Sequence, residues 1–476
     1  MSKPKGDGQE RSSKLAVVIM AAGKGARLKS RRPKALHEVG GKPLLSHVIA
    51  AVRRVVAPAH IFVVVGYEGE KVRQAVAASG VQFVDQPEQR GTGHAIQSVR
   101  VAIKGFENLL VLPGDVPLIR SETIEQLWQF HQKEGAAMTI LSAAPQNPTG
   151  YRRVMRKAPG SAEVDAVVEQ SMLKPAQESA GEIDSGIYAF KTAPLLAHLD
   201  KLTTNTTHGE LYLAQIAGLL RTAGERVATV QVAEAAEVLG ANTIAELAAL
   251  DAALRAATAN RLMAAGVTIF RPDTCVIDAE VEVEPDTVIE PFVQLLGNTR
   301  VGAECRIRSF TVIENCTLGN RIIIRQSCVL ADSSIADGAD IGPFARMRPG
   351  CEIGEDVHIG NFVEVKKSKL ARGVKAGHLA YLGDSDIGAR TNIGAGVITC
   401  NYDGAHKHIT RIGEGVFVGS DSTLVAPVTI EDGAYIGAGS CITKGVPADA
   451  LAIARAQQTN NEGWAAARRA RQKAKS

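Results

Sequence analysis

From residue 283 onward, aliphatic side chains return every six positions, a spacing that neither a helix nor a long flat strand can use. The first run is Val283, Ile289, Leu295, Val301, Ile307 and Ile313. It resumes as Ile335, Ile341, Met347, Ile353, Ile359 and Val365, and again as Ile412, Val418, Leu424, Ile430, Ile436 and Ile442. A helix face repeats every ~3.6 residues and a strand face every ~2. A period of six fits a parallel β-helix, in which each hexad makes one short side of a triangular coil and points one aliphatic group inward. Small or branched residues stand two places earlier, as at Ala339, Ala345, Cys351, Val357 and Val363. Such a core needs no rings, which agrees with 4% aromatics in 476 residues. The 46 glycines supply its frequent turns. The register slips by one between Val365 and Leu370 and between Leu382 and Ile387. It breaks at 400–411, a polar stretch expected to leave the coil as a loop.

Residues 15–240 follow another pattern. Apolar runs at Leu15–Met20, Ile61–Val65, 81–84 and 109–112 predict strands. Between the first two, Leu44, Leu45, Val48, Ile49, Val52, Val55 and Val56 share one helical face. Alternating strands and helices imply an α/β domain with a largely parallel sheet and a ligand site beyond the carboxyl ends of its strands. The expected organisation is a disordered tail at 1–14, an α/β domain at 15–241 and a linker helix at 242–266. A β-helix at 267–455 and a short helix with a basic tail at 456–476 complete it. Thr243 with Glu246 makes a capping box for the linker helix, and Gly266 suits the place just past its end.

Composition narrows the function classes. Lys and Arg number 54 against 50 Asp and Glu, a formal charge of +4, which excludes a nucleic-acid backbone binder. No apolar run approaches the roughly 20 residues of a membrane span. The polar start lacks the apolar stretch of a signal peptide. The seven cysteines all lie at or after Cys275 and form no Cys-x-x-Cys pair, so a zinc ribbon is not expected. They predict reduced thiols in the cytoplasm, buried as small core residues, with Cys305, Cys328 and Cys351 in the inward slot.

The first strand runs into Met20-Ala21-Ala22-Gly23-Lys24-Gly25-Ala26-Arg27. This is neither a Walker loop nor a dinucleotide fingerprint, yet its small residues let backbone N–H groups approach a phosphate. Arg27 and Lys34, the latter after Pro33, add positive charge. Gln86 offers a donor and an acceptor to a base edge, and Gly91 and Thr92 open a helix whose first N–H groups are free. Gly114-Asp115 closes a strongly apolar strand. A carboxylate there suits Mg²⁺ holding phosphate oxygens, or equally a turn cap.

In the second half, residues 346–402 concentrate polar chemistry. Arg348 and Lys366 lie 18 residues apart, one coil, and can share a phosphate. His378 falls on another side of the coil and is the best general base of this half. No cysteine is paired with a base, which favours direct attack on a thioester over a covalent acyl-enzyme.

The Gly-rich loop, Gly91-Thr92-Gly93-His94 and Gly114-Asp115-Val116-Pro117-Leu118 resemble the sugar nucleotidyltransferases. Residues 15–465 as a whole resemble the bacterial bifunctional N-acetylglucosamine-1-phosphate uridyltransferase and glucosamine-1-phosphate acetyltransferase family. The resemblance implies an α/β Rossmann-like nucleotidyltransferase domain followed by a left-handed parallel β-helix of hexapeptide repeats. It implies acetyl transfer from acetyl-CoA to glucosamine-1-phosphate, then uridylyl transfer from UTP with release of pyrophosphate. The product, UDP-N-acetylglucosamine, is a precursor for bacterial cell walls. Ala21, Ala22, Gly23, Arg27 and Lys34 would hold the nucleotide and its phosphates, Gln86, Gly91 and Thr92 the uracil, and Asp115 and Asn242 Mg²⁺. Arg152, Glu169 and Asp184 would face the sugar phosphate. In the other half Arg348, Lys366, Tyr381 and Asn392 would take the sugar phosphate, and His378 would be the base. Asn401 and Tyr402 would meet sugar and acetyl-CoA. Ala395 would offer an N–H to the oxyanion, with acetyl-CoA on Ala395, Ser420, Ala438 and Arg455. A homotrimer would form through the β-helix. Three residues depart from the family pattern, all toward the sugar: Pro113 for Tyr, Arg152 for Gly and Asp184 for Asn. Arg152 and Asp184 are expected to pair. Two other functions fit parts of the chain: a monofunctional nucleotidyltransferase with a purely structural β-helix, and a nucleotide-sensing regulatory subunit. The His–Lys–Arg–Tyr set speaks against the first, and Lys34 with Asp115 against the second.

Overall fold

The computed structural model describes residues 14–204 and 209–474. The expected tail at 1–14, Lys14 apart, and the last two residues of the basic end lie outside them. The chain forms two compact units, Met1–Leu254 and Arg255–Ser476, and the division falls within the helix Ile244–Ala264. Thr243 and Glu246 cap that helix reciprocally, each accepting the other's backbone N–H. Gly266 follows it with φ +96°.

In the first unit a mixed sheet runs in the order Val227–Gln231, Met138–Ala143, Ile183–Lys191, Asn108–Pro113, Leu15–Met20, Ile61–Val65 and Gln82–Asp85. Only Ile183–Lys191 is antiparallel to its neighbours on this path. Leu15–Met20 is apolar throughout because both its faces are covered: Val17 and Ile19 enter one core, Ala16 and Val18 the other. Several element ends differ from expectation by one or a few residues. The last strand starts at Gln82, not at residue 81. The helix from Leu44 stops at Val52, and Val55 and Val56 fold back in turns onto the carbonyl of Val52. Met20 pairs with Pro113 at the carboxyl ends of parallel strands, and Gly114 donates to the Met20 carbonyl at 2.9 Å. That pairing brings the Gly-rich loop and Asp115 to one place.

The second unit is the expected solenoid. Among the described residues it has three parallel sheets of 11, 10 and 9 short strands, which with the hexapeptide repeats make a left-handed β-helix. The hexad aliphatics form one continuous core, with Ile341, Ile359 and Val365 at 0% exposure. Arg346 pairs with Glu364 and Ile353 with Leu370, so coils of 18 and 17 residues alternate without losing the inward row. One corner carries Phe292, Phe310, Phe344, Phe362 and Leu379 in the left-handed backbone region, φ between 48° and 64°. Their side chains are half or more exposed, and the rings stack in pairs 5.2 and 5.4 Å apart. Five cysteines are buried as expected, but Cys400 is only half-buried and Cys441 is exposed. Cys441 stands one residue before the inward Ile442, in the outward position of its strand, whereas Cys351 stands two before Ile353.

One buried group makes the first unit sensitive to acid. His131 is 2% exposed, its Nδ1 meets Thr139 Oγ1 at 2.8 Å, and its Nε2 has no partner. Burial, and then the charge of Lys191, lower its pKa from 6.5 to about 4. Between these values the unfolded chain binds a proton that the folded chain refuses, so this contribution is full above pH ~6.5 and is lost as pH falls toward ~4. The expected loss approaches about 3 kcal/mol. Urea midpoints followed by Trp128 fluorescence should fall across this range in the wild type and fall distinctly less in His131→Gln.

Candidate functional site

Each unit carries one polar centre. In the first, a cleft of about 430 Å³ opens at the carboxyl ends of the strands. It is lined by Ala21, Ala22, Gly23, Lys34, Gln86, Gly91, Thr92, Asp115, Arg152, Asp184 and Asn242, among others. The loop follows the strand because Ala21 N–H donates to Val64 and Gly114 N–H to Met20. Gly25 turns it at φ +70°, where a Cβ would sit 2.9 Å from Lys34 Cβ. Lys34 Nζ forms an ion pair with Asp115 and reaches Asn242 Oδ1 at 3.0 Å. Arg27 donates to the same amide oxygen at 2.7 Å without lining the cleft. Gly240 leaves room for the carboxylate, since a Cβ there would lie 2.7 Å from Asp115 Oδ2.

At one side of the cleft, Gln86 is 3% exposed and its amide donates to the Gly91 carbonyl at 3.2 Å. The helix start expected at Gly91 and Thr92 is taken up only at its next residue. Gly93 N–H donates to the Leu211 carbonyl at 2.8 Å, and Thr92 Oγ1 accepts from Leu213 N–H at 3.0 Å. The chain packs so closely there that a Cβ on Gly91 would lie 2.6 Å from Leu211 O.

At the far side, Arg152 and Asp184 pair: Nε donates to Oδ2 at 2.9 Å. Tyr188 hydroxyl donates to the same oxygen at 2.8 Å, and Gly186 N–H to Oδ1 at 3.0 Å. Glu169 stands 3.6 Å from Arg152 outside the lining, and the guanidinium lies over the Tyr212 ring at 5.7 Å. Burial opposes the arginine charge, but Asp184, Tyr188 and Glu169 outweigh it and push its pKa further up.

In the second unit, Arg348 and Lys366 follow paired residues of adjacent coils and lie one above the other. A third cation joins them that sequence reasoning did not single out. Lys407, on the loop between Cys400 and Thr410, lies beside Lys366. Lys407, reduced contact with water, and Arg348 hold the Lys366 ammonium below the usual lysine range, with Asp384 pushing back. Glu364 offers Arg348 a carboxylate at 3.2 Å. Asp403 fixes the loop by accepting the N–H groups of Ala405 and His406 and pairing with His408 Nε2 at 2.7 Å. The only sequence signal for Lys407 was the polar break itself.

His378 is exposed and pairs one coil back with Asn361, Nδ1 to Oδ1, at 2.7 Å. With the amide oxygen as acceptor, Nδ1 is the donor, and Nε2 is the ring nitrogen that Asn361 does not engage. Tyr381 lies on Gly383, where a Cβ would be 2.5 Å from its hydroxyl. Asn392 pairs with Lys375 on the sheet that carries His378. Asn401 is 7% exposed and donates to Asp384, whereas Tyr402 is exposed. Ala395, Ser420, Ala438 and Arg455 stack along one corner: Asp421 N–H donates to Ala395, Gly439 N–H to Ser420, and Arg455 to the Ala438 carbonyl at 2.6 Å.

A nucleotide-sized cleft on an α/β sheet, with an imidazole on one face and stacked cations on another face of a hexapeptide solenoid, defines a chain of two transferase units. Family models agree: one described as MobA-like NTP transferase domain matches residues 17–179, and one described as Bacterial transferase hexapeptide (six repeats) matches 332–367 and 409–444. Three curated relatives each bear the name Bifunctional protein GlmU. That of Koribacter versatilis is 57% identical over 97% of this chain and 99% of the relative. Those of Solibacter usitatus and Stutzerimonas stutzeri are 46% and 44% identical over 96% and 94% of this chain, and 97% and 98% of the relatives. The chain belongs to the bifunctional GlmU family.

Three crowded cations make an anion site whose occupation relieves repulsion. Inorganic phosphate is therefore expected to raise the melting temperature of the β-helix unit, by about 2 °C or more at ~100 Kd. Lys407→Ala should remove at least half of that rise in a calorimetric titration.

Proposed function

We propose that this bifunctional transferase makes UDP-N-acetylglucosamine in two steps, one in each unit. The β-helix unit acetylates glucosamine-1-phosphate from acetyl-CoA. The α/β unit then joins the acetylated sugar phosphate to UTP. The observation that carries the proposal is the cation cluster Arg348, Lys366 and Lys407 together with an imidazole oriented by Asn361.

In acetyl transfer, Arg348 and Lys366 hold the sugar phosphate, and Tyr381 and Asn392 meet the sugar. Asn401 and Tyr402 lie between sugar and acetyl-CoA. His378 Nε2 takes a proton from the substrate ammonium, and the freed amine attacks the thioester carbonyl. Ala395 N–H faces the developing oxyanion. The C–S bond then breaks, and the thiolate leaves with a proton. Ser420, Ala438 and Arg455 hold acetyl-CoA along their corner. Asn361 acts through the histidine by fixing its tautomer.

In uridylyl transfer, Gln86, Gly91 and Thr92 hold uracil, and Ala21, Ala22, Gly23, Arg27 and Lys34 hold the phosphates. Glu169, Arg152 and Asp184 form the sugar end. A phosphate oxygen of the sugar attacks the α-phosphorus of UTP, the α–β bond breaks and pyrophosphate leaves. Asp115 and Asn242 present hard oxygen donors side by side, and Gly240 leaves space at the carboxylate, so the residues fit Mg²⁺ completed by substrate phosphates. When bound, Mg²⁺ neutralises phosphate charge.

The acetyl-transfer site lies at a seam between three copies. The exposed stacked rings of Phe344 and Phe362, with Leu379 directly after His378, support a covered corner there. Among the described residues no helix is long and apolar enough to cross a membrane; the thiols and substrates suit the cytoplasm.

The test supplies glucosamine-1-phosphate with acetyl-CoA, or N-acetylglucosamine-1-phosphate with UTP and Mg²⁺. His378→Ala should cut thiol release by roughly 10²–10⁴-fold and leave pyrophosphate release within about twofold of wild type. Asp115→Ala should cut pyrophosphate release at least ~10²-fold and spare thiol release. Loss of both activities from either folded variant would contradict separate sites.

A further inference from the structure

The sugar end of the uridylyl cleft is crowded with carboxylates. Asp184 lines it, and Glu169 stands just behind, 3.6 Å from Arg152. Among the described lining residues the lysine and arginine cations are Lys34 and Arg152, and Lys34 is held by Asp115 and Asn242. Arg152 alone faces the sugar-end carboxylates. Its Nε is bound to Asp184, whose side chain is 0% exposed and fully satisfied by Arg152, Tyr188 and Gly186. The guanidinium has five N–H groups and no acceptor, so donors remain to face the cleft.

The two sugar phosphates this chain handles differ in one group. Glucosamine-1-phosphate carries an ammonium, a cation and pure donor. Its acetylated form carries a neutral amide with a carbonyl acceptor. We propose that Arg152 is a specificity-determining residue that bars the unacetylated sugar phosphate from the uridylyl cleft and admits the acetylated one. The inference rests on the sugar binding at the Arg152 end, as proposed above. Arg152 offsets the Asp184 charge that would otherwise welcome an ammonium, and its guanidinium repels that ammonium directly in a partly buried site where charges are weakly screened. It donates to the amide carbonyl. Asp184 and Tyr188 hold the guanidinium so that its charge stays at this end.

The test uses the full chain without acetyl-CoA, so that no acetylation intervenes. Pyrophosphate release gives kcat/KM for N-acetylglucosamine-1-phosphate and for glucosamine-1-phosphate, and the readout is their ratio. Arg152→Met should lower the ratio at least about tenfold, with glucosamine-1-phosphate gaining relative to the acetylated substrate. Arg152→Met combined with Asp184→Asn removes both charges and should return the ratio to within about threefold of wild type. A ratio unchanged within about twofold in Arg152→Met overturns the proposal, as does a double variant as permissive as the single. Circular dichroism and urea midpoints followed by Trp128 fluorescence report folding of the α/β unit. Should Met leave Asp184 buried without a partner and the chain unfolded, Arg152→Gln, which can still donate to that carboxylate, takes its place with the same thresholds. A wild-type chain that releases no pyrophosphate from UTP and N-acetylglucosamine-1-phosphate would sink the functional reading itself, an outcome distinct from failure of the ratio.

Discussion

Parallel stacking of coils at the spacing of one β-ladder is the constraint on which the second unit depends. Neighbouring strands lie about 4.8 Å apart, so residues one coil apart in sequence become contacts in space. The inward aliphatics hold that register because a slip of one residue would turn the whole row outward. The pairing of polar side chains on successive coils follows from it. Asn361 orients His378 because Asn361 and His378 are ladder partners, and Arg348 stands by Lys366 because Met347 pairs with Val365. The same register stacks the phenylalanine rings at the corner. Those bulky residues adopt a backbone conformation that costs of order 1 kcal/mol each, sustained because ladder hydrogen bonds on both sides over-determine the turn.

The two centres manage charge in opposite ways. In the first unit cations are matched with acceptors: Lys34 with Asp115 and Asn242, Arg152 with Asp184. Substrate phosphates arriving beside Lys34 must exchange its contacts for their own. In the second unit Lys366 and Lys407 face each other and Arg348, and the Lys366 ammonium is held below its usual range. An approaching phosphate there relieves the repulsion among the cations and competes with Glu364 for Arg348.

The solenoid was legible because its period belongs to no other fold, and the α/β unit because its strands read as unbroken apolar runs. Legibility ended where one residue's role depends on a partner distant in sequence. Gly91 and Thr92 read as a helix start with free N–H groups, yet from more than a hundred residues away Leu211 takes the Gly93 N–H and Leu213 donates to the Thr92 hydroxyl. Lys407 lay inside a stretch recognisable only as a break in the repeat. Cys441 was misjudged by residue type, although its place one before Ile442 marked it as outward. Arg152 with Asp184 was readable as a pair because two departures of opposite sign fell on one side of the cleft; Tyr188 and Tyr212, which complete their surroundings, carried no such signal.

The order of the two reactions follows from the charge carried by one nitrogen. Before acetylation the substrate is a cation at that nitrogen and an anion at its phosphate. Cations gathered around the phosphate disfavour the ammonium and favour the free amine, the form that attacks a thioester. Acetylation removes the positive charge permanently, because an amide is not protonated near neutrality. The product therefore differs from its precursor in the property that a charge-balanced cleft can sense at short range. On this view the chain needs no signal between its units to keep the steps in order, since the chemistry of the first step writes the recognition mark for the second.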